Sequence, residues 1–227
     1  MTMTIVGFDP RTGQFGGAVA TKNIGVGSRV LKGKGEVGMV GFSSTETHRL
    51  RALKMLELGF PAHVVIDAIK AICQGRGQYS IIDRKGVSAA YTTPTCFPWA
   101  GSRSGKNYAC GANTMVGPEV VQALGDTFEK TENSGLPLHE RLLQCLEAAQ
   151  ATGGDNRGRQ SAAIRVFSSR IDPDTALDLR VDDHPNPIPE LRSIVHIYLQ
   201  TYPGSWSTNR PPMPGTEEQG AYPILYH

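Results

Sequence analysis

Much that would mark a chain for a metal, a membrane or a nucleic acid is missing here. The four cysteines, Cys73, Cys96, Cys110 and Cys145, are widely spaced and form no CxxC pair. Neither a zinc site nor a dithiol redox motif is therefore supported. Four thiols in 227 residues also fall short of the dense disulfide framework of a small secreted scaffold. No apolar run approaches the ~20 residues that a membrane-spanning helix needs. Neither sign of charge dominates, with 23 Lys+Arg against 21 Asp+Glu, so an anionic partner surface is not expected. The basic residues are scattered; Arg29, Lys32 and Lys34 are the densest early group and read as a solvated turn. No GxxxxGK[ST] or GxGxxG follows a strand pattern, which removes the usual phosphate loops. The start, MTMTIVGFDP, lacks the basic segment and apolar stretch of a secretion signal. The expectation is a cytoplasmic, reduced protein with no nucleic-acid or membrane partner.

What is abundant is punctuation. The 26 glycines and 15 prolines imply many tight turns between short elements. Residues 3–8 and 14–22 read as strands around the turn DPRTG, a hairpin in which Gly16 and Gly17 signal a bulge or a close backbone approach. KGKGEVG at 32–38 reads as a turn and 37–42 as a strand. Helices are expected from Ser44 or Thr45 to Gly59 and over 61–72, where Val64, Val65, Ala68, Ile69 and Ile72 recur at helical spacing. A second hairpin follows at 78–83 and 87–92, and a short strand near 107–116. Amphipathic helices are expected over 118–130 and 136–150. Strands at 160–167 and 176–181 lead to a proline-rich connection at 182–189 and a last helix at 190–200. Runs of strands alternating with helix pairs suit helices packed on the outer faces of two stacked sheets. The organisation expected is one domain over residues 1–200 and a Pro/Gly-rich tail over 201–227.

Several motifs, in order, resemble those of the bacterial and archaeal family called domain of unknown function 1028. The most specific are GGDNRGRQSAA at 153–163 and LDLRVDDHPNPIPEL at 177–191. Weaker ones are TIVGFDPRTGQFGGAVAT at 4–21, QYSIID at 78–83, WAG at 99–101 and the stretch from Asn113 to Gly117. The resemblance spans roughly residues 2 to 200 and implies an α+β fold, a four-layer αββα sandwich of the N-terminal-nucleophile (Ntn) hydrolase type. Fold alone assigns no reaction. The chain departs from the family pattern at Gly41–Thr45, Tyr91–Thr93, Pro98 and Gly111–Asn113. These are strand ends, where a pocket would sit, so an altered substrate or a lost activity is implied.

An Ntn hydrolase attacks an amide with the side chain of its first mature residue and uses that residue's α-amine as base. An amine with a pKa near 8 suits this work at neutral pH. By that resemblance Thr2 and Thr4 are the candidate nucleophiles. Loss of Met1 would expose Thr2, whereas Thr4 needs loss of three residues. Both are also ordinary β-formers on one face of a strand. Asp155, Arg157, Gln160 and Ser161 form the tightest polar cluster. The resemblance gives Asp155 and Ser161 the orientation of the nucleophile; a loop-fixing Asp–Arg pair explains the cluster equally well. Asn113 offers an amide to a developing oxyanion, or simply the αL geometry of a turn.

Arg180, Asp182, Asp183 and His184 could suggest a metal, but adjacent strand residues face opposite ways and seldom share an ion. A capped turn or subunit contact fits better, and no metal or cofactor is expected. Lys32 and Lys34 read as turn residues. Ser43, Ser44 and Thr45 offer a polar pocket or, more simply, a helix cap. Cys96 and Cys110 read as small buried hydrophobes. Arg157, Gln160, Ser43, Thr92 and His184 are the candidates for substrate contact. The expected function is hydrolysis of an amide or lactam in a small metabolite by an N-terminal Thr. The alternative is a non-catalytic small-molecule-binding or assembly subunit on the same scaffold. A homo-oligomer is expected in either case, with Trp206, Tyr222 and Tyr226 of the tail able to anchor on a neighbour.

Overall fold

The computed structural model describes residues 2–168 and 172–202, without side-chain placement for 168 and 172–176. Among these residues the chain forms two antiparallel sheets and six helices. The first hairpin is β1 (Thr2–Asp9) and β2 (Gln14–Thr21). A short helix α1 (Val26–Val30) leads to β3 (Leu31–Lys34) and β4 (Gly38–Ser43). Helices α2 (Glu46–Glu57) and α3 (Ala62–Ile72) precede β5 (Gln78–Asp83), β6 (Ser88–Thr92), β7 (Ala100–Gly105) and β8 (Tyr108–Asn113). Then come α4 (Glu119–Lys130), α5 (Leu138–Ala151), β9 (Ser161–Ser168), β10 (Asp172–Val181) and α6 (Pro187–Thr201). One sheet has the order β10-β9-β2-β1-β8-β7 and the other β3-β4-β5-β6.

The two-residue period of a strand sorts side chains into three apolar groups. Met3 and Ile5 of β1 point to the face where α4, α5 and α6 pack, joining Leu124, Phe128, Leu142 and Leu191. Val40, Phe42, Tyr79 and Ile81 point to the opposite outer face, against Ala52, Leu56, Val65 and Ile69 of α2 and α3. Between the sheets lie Val6, Phe15, Val19, Met39, Ile82 and Phe167, with Val26 and Val30 of α1 closing one side. Thr2 and Thr4 share the inward direction of Val6. Each fully buried large side chain in these groups contributes ~1.5–3 kcal/mol of transfer free energy.

The hairpin, the outer helices and the central strands fall where their periodicity places them, within a residue or two. Around Gly16 and Gly17 the register runs unbroken from Met3↔Ala20 to Asp9↔Gln14, so the glycines serve close approach and not a bulge. A Cβ on Gly17 would lie 3.0 Å from the Ile5 carbonyl oxygen.

Three elements differ from expectation. Residues 32–34, read as the start of a turn, belong to the edge strand β3, which pairs with β4. Residues 100–105 (AGSRSG) pair with β8 through a turn in which Asn107 takes φ 65°. The last helix starts at Pro187 and not at 190, because proline is tolerated in a first turn where its missing N–H would be unpaired anyway. This helix runs through Thr201, one residue past the expected domain boundary. The tail with Trp206, Tyr222 and Tyr226 lies outside the described residues. Among the described residues, no helix is long and apolar enough to cross a membrane.

Candidate functional site

The antiparallel ladders bring polar strand ends to one edge of the inter-sheet space. Thr2 opens β1 opposite Asn113, which closes β8. Thr21 closes β2 opposite Ser161, which opens β9. On the facing sheet Ser43, Gln78 and Thr92 align across β4, β5 and β6. One half of the space between the sheets is therefore apolar, around Val6 and Phe15, and the other is hydroxyl- and amide-lined.

A pocket of about 140 Å³ opens at this polar edge, and Thr2 lines it. Its walls include Asn23, Arg29, Ser43, Ser44 and Arg49. Thr2 and Ser43, two of the expected site residues, thus meet here. Thr4 sits one step deeper. Like Thr2 it is 2% exposed, and its Oγ1 has no hydrogen-bond partner among the described residues. Its Cγ2 would lie 2.5 Å from a Cβ on Gly41, so Gly41 makes the space that Thr4 occupies.

Asp155 and Ser161 hold one wall of this pocket, and neither hydrogen-bonds to Thr2. The Ser161 hydroxyl donates to the Asn23 carbonyl and accepts from the Val26 N–H at 3.1 Å. Asp155 is buried and accepts from the Lys22 N–H at 3.1 Å and from the Arg157 backbone N–H at 3.0 Å. Its carboxylate also receives a two-point grip from Arg157 Nε at 3.0 Å and Nη2 at 2.7 Å. Such charge-assisted forks are strong and fix geometry. Both residues therefore pin the segment 22–26 that carries Asn23 and the start of α1 to the pocket. Arg157 spends its fork on Asp155.

Asn113 belongs to a buried amide seam beside the pocket. Its Nδ2 donates to Gln78 Oε1 at 3.0 Å. Gln78 Nε2 in turn contacts the Ala112 carbonyl at 2.7 Å, the Gly101 carbonyl at 3.1 Å and Thr92 Oγ1 at 3.2 Å. Three acceptors share two N–H groups, so Gln78 is saturated on that side. Thr92 also lines a second, wider cavity of about 430 Å³ with Thr93, Cys96, Trp99 and Ser102.

Gln160 and His184 lie apart from the Thr2 pocket. Gln160 Nε2 donates to Asp183 at 3.1 Å, and its carbonyl accepts from the His184 N–H at 2.8 Å. His184 Nδ1 accepts from the Asn186 N–H at 3.1 Å, immediately before α6. Asp182 accepts from Arg180 at 3.0 Å. Lys34 pairs with Glu57 at 2.8 Å, and Lys32 approaches Glu46 at 3.9 Å; neither lysine lines the pocket. Among the described residues, no group of three or more His, Cys, Asp and Glu side chains is placed to hold a metal ion.

The pocket's charge comes from residues that the sequence did not single out. Arg49, at 6% exposure, donates through Nη1 to the carbonyls of Phe42 and Ser44, at 3.3 and 3.0 Å. Burial pushes its pKa down, Glu46 pulls it back up, and Arg29 lowers it further. Arg29 reads in the sequence as part of a solvated turn, and nothing in the sequence marks Arg49. Gln78 stood inside QYSIID, where the polar alternation Gln78, Ser80 was the signal that this strand face meets polar groups.

The family model described as "Family of unknown function (DUF1028)" matches residues 2–191. The crystal structure of protein SPO2555 from Silicibacter pomeroyi, of the same family, is similar with 28% identity and a TM-score of 0.78. That similarity covers 87% of this chain and 89% of the other. Anbu (ancestral beta-subunit) from Yersinia bercovieri has 9% identity and a TM-score of 0.41, over 88% of this chain and 96% of that one. No curated protein matches the chain.

Proposed function

Since the chain belongs to the DUF1028 family, whose function is unknown, we propose that it is an amide-bond hydrolase of the Ntn type, built as a four-layer αββα sandwich, with Thr2 as nucleophile. The observation that carries this reading is the position of Thr2. It opens β1 and lines the polar pocket, where cleavage of the Met1–Thr2 bond would free its α-amine. Thr4 is the weaker candidate, because it is packed against Gly41 below that pocket.

In the reaction the Thr2 α-amine takes the proton of its own Oγ1 as this oxygen bonds to the amide carbon. The tetrahedral intermediate then breaks its C–N bond as the amine leaves with that proton. A water, deprotonated by the Thr2 α-amine, attacks the ester that remains; the acid leaves as the proton returns to Oγ1, which regenerates Thr2. Asn113, beside Thr2 in the β1–β8 ladder, has one Nδ2 hydrogen held by Gln78 and one left for the oxyanion. Asp155 and Ser161 act as positioning residues for the pocket wall. The substrate is a small metabolite, the enzyme works in the cytoplasm without a cofactor, and the subunits assemble as a homo-oligomer.

One observation favours a second reading, a binding or assembly subunit without catalysis. Asp155 and Ser161, the expected helpers, are engaged in bonds that hold the loop 22–26. The two readings separate in an assay of small amides with Thr2→Val and Thr4→Val. Hydrolysis lost with Thr2→Val and kept with Thr4→Val supports the enzyme. Hydrolysis unchanged by Thr2→Val, or absent from the native protein, overturns it.

A further inference from the structure

Several buried or half-buried arginines among the described residues have well-defined partners. Arg157 grips Asp155, and Arg192 binds Glu140 and Glu147. Arg141, almost fully buried, donates to Thr131 Oγ1 and the Phe128 carbonyl and lies 4.0 Å over the Phe128 ring. Arg49 differs from Arg157 and Arg192 in lacking a carboxylate, and from Arg141 in lining a pocket with one nitrogen left unpartnered among the described residues. It is more than nine-tenths buried, lines the Thr2 pocket, and has no carboxylate partner among the described residues. Its Nη1 is fixed by two backbone carbonyls, while its Nε is buried without a hydrogen-bond partner among the described residues. Glu46 acts on it only through space, and that carboxylate is turned toward Lys32 at 3.9 Å. Arg29 stands on the same pocket, exposed, also without an ion pair among the described residues.

Two guanidinium groups on one small pocket repel each other, and a buried cation without a counter-ion is costly. A bound anion relieves both effects. We propose that Arg29 and Arg49 bind a carboxylate of the ligand, so that this pocket selects a small carboxylate-bearing amide over a neutral one. The planar fork of arginine matches two carboxylate oxygens, which a point-charge lysine does not. Because Thr2 lines the same pocket of about 140 Å³, the carboxylate lies only a few bonds from the scissile carbonyl. The amide part of this statement rests on the hydrolase reading above; the carboxylate part does not.

The test is a binding measurement with N-acetylglycine, its neutral counterpart N-acetylglycinamide, and inorganic phosphate, each at millimolar concentration, by ligand-observed NMR and thermal shift. Binding registers whether or not the ligand is cleaved, so failure of the hydrolase reading leaves the result interpretable. The acid is expected to bind saturably, and the neutral amide at least about tenfold more weakly, the size of one charged hydrogen bond. Arg29→Gln and Arg49→Lys should each weaken the acid by a similar factor. Arg29 is exposed, so its variant reports even where a change at Arg49 disturbs folding. Equal affinity for acid and amide, no effect of either variant, no saturable binding of the acid, or tighter binding of phosphate would each overturn the proposal.

Discussion

Asn113 of the six-stranded sheet donates through Nδ2 to Gln78 Oε1 of the four-stranded sheet, at 3.0 Å, with both residues buried. This amide pair crosses the inter-sheet space next to Thr2. Gln78→Leu should cost about 1–3 kcal/mol for each buried group it leaves unpaired. Asn113→Leu should be less costly in the Gln78→Leu background than alone, since the shared bond is already gone. Chemical denaturation of the two single variants and the double variant checks this coupling; simple additivity would show that the bridge contributes nothing.

Gly41 and Thr4 form a complementary pair across the same space. A Cβ at position 41 would sit 2.5 Å from Thr4 Cγ2. Gly41→Ala should therefore destabilise by about 1–3 kcal/mol through overpacking. Thr4→Ser removes the obstructing methyl and should restore most of that loss in the double variant. Melting temperatures of the four proteins decide it.

The four thiols should divide into two pairs. Cys110 and Cys145 are buried, and burial pushes both pKa values up, that of Cys110 to about 12. Cys73 and Cys96 are half-buried. A thiolate-selective disulfide reagent should label two cysteines in the native protein and four after unfolding. Peptide mapping should place the fast pair at Cys73 and Cys96.

Acid should weaken the fold through His139. Burial lowers its pKa, Glu140 raises it and Arg192 lowers it again, with the lowering winning. The unfolded chain, whose histidine titrates near 6.5, then binds this proton first. The stability present above that pH is lost as pH falls below ~6.5 toward the folded value. His139→Gln should flatten the dependence between neutral pH and mild acid in denaturation curves.

The parts of the fold that the sequence made legible are those with a strong period. Helix α4, with Val120, Val121, Leu124 and Phe128 on one face, and the β1–β2 hairpin around Gly13 are examples. Strand β7, AGSRSG, was not legible because its small and polar residues carry no alternation; its identity comes from pairing with β8. Helix α1 is five residues long and takes its place from the Ser161 hydroxyl, 135 positions from Val26. At the site, the sequence pointed to Thr2 only through the family resemblance, and the fold places it on the polar pocket. Arg49 was not legible, since only the fold shows that this turn of α2 faces the carbonyls of Phe42 and Ser44. Asp155 and Ser161 stood out in the sequence as a polar cluster, while the bonds by which they hold residues 22–26 depend on contacts that spacing does not encode.

The most direct test of the proposed chemistry is the intact mass of the untagged protein before and after exposure to an amine- and hydroxyl-reactive β-lactone. The expected result is a chain lacking Met1 that gains one adduct, mapped by fragmentation to Thr2. A chain that keeps Met1 and gains no adduct, or an adduct on Thr4 after loss of three residues, would contradict Thr2 as the nucleophile.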